Sequence, residues 1–131
     1  MGGLSIGQVA ARAGVRASAL RYYEQIGLLP APLRSNGRRS YDMKVFDRLA
    51  LIAFGRRAGF SIAEMKLLLS GFAPETTASA RWRDLARRKE QELDAIIKVA
   101  QERRRAVRAV QKCMCRTLDE CGHRLRQPLG L

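Results

Sequence analysis

Ile6-Gly-Gln-Val-Ala-Ala-Arg-Ala-Gly-Val15, followed at once by Ser18-Ala-Leu-Arg-Tyr-Tyr-Glu-Gln-Ile-Gly27, decides the fold of this chain. The first stretch reads as a short amphipathic helix ending at Gly14, and the second as a helix stopped at Gly27. Gly14, Val15 and Arg16 make a tight turn between them. Two short helices around a glycine-containing turn form a helix-turn-helix, a unit that lays its second helix in the major groove of DNA. The charge agrees: 25 Lys and Arg stand against 12 Asp and Glu in 131 residues, a formal net charge of +13. Most of these cations are Arg, whose planar fork suits phosphate and guanine. A surface this basic favours a polyanion such as nucleic acid. An anionic membrane is the other candidate, but no apolar run approaches the roughly 20 residues that span a bilayer.

Met1-Gly-Gly offers neither the basic n-region nor the apolar h-region of a signal peptide. Three cysteines, an odd number, fall within nine residues. Reduced thiols in a cytoplasmic protein are therefore expected, not a disulfide framework. A single histidine and the lack of a Gly-rich phosphate loop leave no catalytic constellation, so no enzyme is expected. A thiol oxidoreductase would need C-x-x-C at a helix start, whereas this chain has C-x-C after a helix end.

Beyond the two helices, Pro30 and Pro32 bar any helix. Asn36-Gly37 is a strong hairpin signal, because both central residues of a type I′ turn need positive φ. Leu33 to Ser35 and Arg38 to Tyr41 then become short strands of a basic wing. Asp42 can cap the next helix, which Gly59 ends, and Ser61-Ile-Ala-Glu64 is a capping box opening another. Gly71 to Thr77 is a linker. From Ala78 to Lys112 there is no Pro or Gly, and Trp82, Leu85, Lys89, Leu93, Ile96, Ala100, Arg103, Val107 and Val110 trace a heptad-like seam. A helix of that length, roughly 50 Å, is expected to bury its stripe against a second copy and not to fold back. Arg103-Arg104-Arg105 reads as a solvated helix face. The expected division is residues 1–72 as a winged helix-turn-helix, 73–112 as linker and dimerisation helix, and 113–131 as a C-terminal thiol loop and tail.

These residues resemble the MerR family of bacterial transcription regulators. The likeness rests on Ile6 to Val15, Leu20-Arg-Tyr-Tyr-Glu24 with Gly27-Leu28, Asn36-Gly37 with Arg39 and Tyr41, and Arg57-Ala-Gly-Phe60 before Ile62. The resemblance implies a mainly α homodimer held by an antiparallel coiled coil. It implies binding to a palindromic operator in an overlong promoter spacer, bent and undertwisted so that RNA polymerase meets aligned promoter elements. Carried over residue by residue, Arg21 in the recognition helix reaches base edges or phosphates, and Tyr23 contacts the DNA backbone. Arg38 and Arg39 grip phosphates from the wing, Arg56 binds a phosphate, and Arg16 and Ser18 are helix-start contacts. Tyr22 reads as a core residue.

Cys113-Met-Cys-Arg-Thr-Leu-Asp-Glu-Cys121-Gly-His123 has the pattern C-x-C-x5-C-x-H. Cys113, Cys115, Cys121 and His123 form a candidate tetrahedral thiolate and imidazole site. Metal sensors of the resembled family use two cysteines placed like Cys113 and Cys121. Its redox sensors carry C-x2-C-x-C-x5-C around an iron-sulfur cluster, and here the first cysteine is replaced by Val110. Its divalent-metal sensors add a thiol near the start of the long helix, where this chain has Thr77-Ala78-Ser79. The reading is therefore a thiolate-bound Cu(I) or Zn(II), with thiol or cluster redox sensing as one alternative and a ligand-independent architectural DNA-binding protein as the other.

Overall fold

The computed structural model describes residues 3–131; Met1 and Gly2, where the leader expectation begins, lie outside the described residues. The elements run α1 (Ile6–Ala13), α2 (Ala17–Gln25), β1 (Leu33–Ser35), β2 (Arg38–Ser40), α3 (Lys44–Arg57), α4 (Ile62–Ser70), α5 (Ala78–Gln111) and α6 (Leu118–Leu129). The fold is mainly α, with a winged helix-turn-helix first and a long helix after it, as the sequence implies.

Local chemistry sets the boundaries. Ser5 and Gln8 cap α1 reciprocally, at 3.2 and 2.8 Å, and Gly14 ends it at φ 68°. In the wing, Asn36 at φ 52° and Gly37 at φ 75° supply the two left-handed residues of the turn. Leu33 pairs with Ser40, Arg34 with Arg39 and Ser35 with Arg38. Leu4 then bridges Tyr41, which ties the N-terminal segment to the wing. The Asp42 carboxylate accepts the Lys44 N–H at 2.8 Å where α3 begins, and Ser61 with Glu64 forms the capping box of α4.

The chain divides into two compact units, one ending at Glu90 and one starting at Gln91. The core of the first is centred on Val9, Leu20, Leu28, Ile52 and Met65. A Cβ on Gly55 would lie 2.1 Å from the Met65 sulfur, so only glycine lets α4 press this closely on α3.

Two expectations are corrected. Trp82, Leu85 and Lys89 pack within the first unit of their own chain. Trp82 meets Phe54 and Phe60 edge-on at 5.4 and 5.7 Å, and Leu85 and Lys89 are buried. A helix too long to fold back as a whole still folds back over its first three turns. In the second unit Leu93, Ile96, Ile97, Val107 and Val110 are exposed along α5. The expected loop and tail is α6: Thr117 caps it through the Glu120 N–H at 3.1 Å, the Glu120 carboxylate holds the Arg116 N–H at 3.2 Å, and Pro128 falls only in its last turn. No helix among the described residues is long and apolar enough to cross a membrane.

Candidate nucleic-acid interface and thiolate centre

The helix-turn-helix presents Arg16, Ser18 and Arg21 to solvent on and just before α2. The two tyrosines reverse their expected places. Tyr22 is 46% exposed, whereas Tyr23 is 8% exposed and belongs to the core. Its hydroxyl nevertheless reaches out, accepting an N–H from Arg56 on α3 at 3.1 Å. A phenol that accepts one bond keeps its own proton to donate. Tyr23 and the exposed Arg56 thus offer adjacent donors from two helices.

On the wing, Arg38 is exposed beside the turn, and Arg34 donates to the Gly37 carbonyl at 3.2 Å. Arg39 differs from expectation. Its Nε lies 3.1 Å from the Glu24 carboxylate, with only 27% of its side chain exposed. The same carboxylate accepts the Tyr41 hydroxyl. Burial, then the bond to Glu24, pushes the Tyr41 phenol up to about 12. Arg39 therefore pins the wing to α2 through its Nε, and more than a quarter of its side chain remains exposed. Sequence reasoning gave Glu24 no role, because its partners lie 15 and 17 residues away.

In the second unit the sulfurs of Cys113, Cys115 and Cys121 all lie within 4.8 Å of one another. Cys113 follows α5, Cys115 comes two residues later, and Cys121 sits in the first turn of α6. The formation of α6 is what returns Cys121 to the other two. The Cys115 N–H donates to the Cys113 sulfur at 3.4 Å. That bond, then the Cys115 thiol, holds Cys113 below the ordinary thiol range. The Cys113 neighbour and then desolvation push Cys115 up to about 11. Three thiolates on one ion at the usual metal–sulfur length of about 2.3 Å lie roughly 4 Å apart, so sulfurs that all fall within 4.8 Å can close on a thiophilic ion. His123 stays outside the cluster among the described residues. Two residues beyond Cys121 on a helix, it projects from roughly the opposite face, about 200° away.

The comparisons with known proteins agree with this geometry. Residues 4–71 match the family profile described as MerR HTH family regulatory protein, and residues 46–110 match the one described as MerR, DNA binding. The chain is 35% identical over 104 residues to the HTH-type transcriptional regulator HmrR of Rhizobium leguminosarum bv. viciae, covering 79% of this chain and 81% of that protein. It is 40% identical over 91 residues to the HTH-type transcriptional regulator CueR of Vibrio cholerae serotype O1, covering 69% and 66%. Among solved structures, the transcription regulator PbrR691 from Ralstonia metallidurans CH34 in complex with lead(II) superposes with a TM-score of 0.74 at 29% identity, covering 91% of this chain and 94% of that one.

Proposed function

This chain belongs to the MerR family of helix-turn-helix regulatory proteins, and from that premise we propose a homodimeric transcriptional regulator that answers a thiophilic metal ion. It is a DNA-binding regulator and not an enzyme. Residues 1–72 read the duplex, α5 pairs two copies, and residues 113–131 take the effector. The observation that carries the effector assignment is the convergence of three thiols from one chain within 4.8 Å.

Arg21 reads the major groove from α2, with Arg16 and Ser18 at the helix start. Tyr23 and Arg56 share a phosphate, and Arg38 reaches the flanking groove while Glu24 and Arg39 set the angle of the wing. The exposed stripe of Leu93, Ile96, Ile97, Val107 and Val110 supports pairing with a second copy. A dimer of such heads meets two half-sites about one helical turn apart. Bending and undertwisting the spacer between promoter elements then turns DNA shape into transcription by RNA polymerase.

Cys113, Cys115 and Cys121 would hold the ion, their thiolates supplying the coordination and the ion a positive charge that offsets them. Among the described residues the cluster offers only sulfur and only three ligands. Soft thiolates suit Cu(I) as well as Zn(II), and structural Zn(II) takes four ligands, so Cu(I) is the favoured ion. The test is metal analysis of anaerobically purified protein titrated with Cu(I), Zn(II) and Pb(II). It is paired with transcription from a long-spacer promoter in wild type and Cys113→Ser. One Cu(I) per protomer, and induction lost in the variant, is the expected result. Induction that ignores the variant overturns metal sensing, and a response only to oxidant assigns the thiols to redox sensing.

A further inference from the structure

The first three turns of α5 grip α4 at both ends. At the C-terminal end of α4, the Arg81 guanidinium donates to the carbonyls of Leu68 at 2.9 Å and Leu69 at 3.3 Å. The same side chain donates to Thr76 at 3.1 Å and Ala73 at 3.5 Å in the linker, and it lies 5.9 Å over the Phe72 ring. A cation on the last carbonyls of a helix also meets the negative end of its dipole. At the N-terminal end, Lys89 Nζ lies 2.8 Å from Glu64 Oε1. That oxygen also accepts the Ser61 N–H of the capping box, again at 2.8 Å. Lys89 is only 5% exposed, and its ammonium sits 5.5 Å over the Phe60 ring.

The spacing makes these two ties a clamp. Residues 81 and 89 are about 12 Å apart along α5, close to the length of the nine-residue α4. Trp82 and Leu85 fill the space between them. Neither α4 nor the start of α5 can then rotate or slide without breaking a charged bond. The path continues toward DNA. Met65 of α4 is seated against Gly55 of α3; the next residue is Arg56, bonded to the Tyr23 hydroxyl of α2.

We propose that Arg81 and Lys89 are positioning residues that weld α5 to the DNA-reading unit, so that the state of the cysteines following α5 is imposed on the Arg56–Tyr23 contact. Neither residue touches DNA or metal in this scheme. Their role is coupling, and it rests on the metal-responsive reading proposed above. Coupling between two binding sites is reciprocal, so it can be measured from either side.

The experiment uses the full chain and a duplex operator selected from random sequence by the protein itself. Cu(I) affinity is measured against a chelator buffer with and without that duplex, in wild type, Arg81→Lys, Lys89→Met and Lys89→Arg. The ratio of the two affinities is the coupling. Ordinary coupling is roughly 5- to 150-fold. In wild type the ratio is expected in that range, and in Arg81→Lys and Lys89→Met it falls to within about twofold of unity. The separate affinities for apo-protein and operator stay near wild type, and Lys89→Arg restores the ratio. Thermal unfolding is followed in parallel, because a merely structural role lowers Tm without moving the ratio. A wild-type ratio retained in both loosened variants overturns the clamp while leaving metal sensing intact. A wild-type ratio of one overturns the clamp alone, and a wild-type protein that binds no Cu(I) overturns the metal-responsive reading on which it rests.

Discussion

Replacing Glu24 by alanine separates two ways of thinking about this protein. The Glu24 side chain, 10% exposed, accepts from Arg39 and from the buried Tyr41. Hydrogen bonds to charged groups contribute about 1.5–3 kcal/mol when shielded. The bond from Tyr41 takes that value in full, since a buried hydroxyl left without a partner finds no water. Arg39 is more than a quarter exposed and rehydrates on losing its partner, so its share is discounted to about 1 kcal/mol. The sum is about 3 kcal/mol. In a unit of this size that lowers Tm by on the order of 10–20 °C, compared at one protomer concentration because pairing also stabilises. The DNA result is the sharper one. The variant is one unit more positive, so charge alone tightens its grip on every duplex. The structure says that it also unlocks the wing from α2. Operator binding therefore weakens roughly tenfold, about 1.4 kcal/mol, while binding to random duplex at low salt strengthens. Mobility shift on both duplexes, with thermal unfolding alongside, decides it. A Tm within about 2 °C of wild type, or an operator bound more tightly, refutes the wing lock.

Arg21→Ala is expected to weaken operator binding by about 1–3 kcal/mol and to relax sequence preference, whereas Arg38→Ala weakens all duplexes alike and lowers the salt slope by about 1; titrations at several salt concentrations distinguish them. Ile97→Asp places a carboxylate in the exposed stripe of α5, and sedimentation at micromolar protomer should show dissociation, since burying an unpaired charge costs several kcal/mol, roughly. A phenol whose folded value is about 12 and whose unfolded value is about 10 keeps its proton longer in the native state. Its stabilising effect is therefore intact below pH ~10 and is lost as pH rises toward ~12. Alkaline unfolding should show this limb in wild type and lose it in Tyr41→Phe.

Local signals carried most of the fold. Asn36-Gly37 demanded two left-handed residues and received them. Ser61 and Glu64 formed the capping box that their spacing implied. What escaped the sequence depends on partners far along the chain. Tyr22 and Tyr23 are adjacent and project about 100° apart on α2, so only the place of α3 decides which ring is buried. The Trp82 to Lys89 part of the seam is periodic, yet periodicity does not say whether a stripe is covered by its own chain or by another. The helix over Leu118–Leu129 was hidden by Gly122 and Pro128, although Thr117-x-x-Glu120 before it is a start signal. The three cysteines were legible from spacing. His123 was not separable from them until α6 turned it away.

The charge of the chain shows why composition overstates a DNA interface. The net +13 invites the view of a surface built to grip phosphate. At least six of the 25 Lys and Arg are committed to internal partners. Arg39 holds the wing through Glu24, Lys89 and Arg81 hold α4, Arg87 and Arg88 pair with Asp84, and Arg124 leans on Glu120. Within residues 1–72, Arg12, Arg16, Arg21, Arg34, Arg38, Lys44, Arg56, Arg57 and Lys66 are exposed, and of the sequence-predicted DNA contacts among them Arg56 is tied to the Tyr23 hydroxyl. Binding strength and its salt dependence follow the number of phosphates neutralised, not net charge. The salt slope of each head should therefore count only those exposed cations that meet phosphate, and it should fall short of the slope that the net charge suggests. Under the proposed pairing of α5 two such heads act together, and the internal cations Arg39, Arg81 and Lys89 are the parts that set the angle at which the free ones arrive.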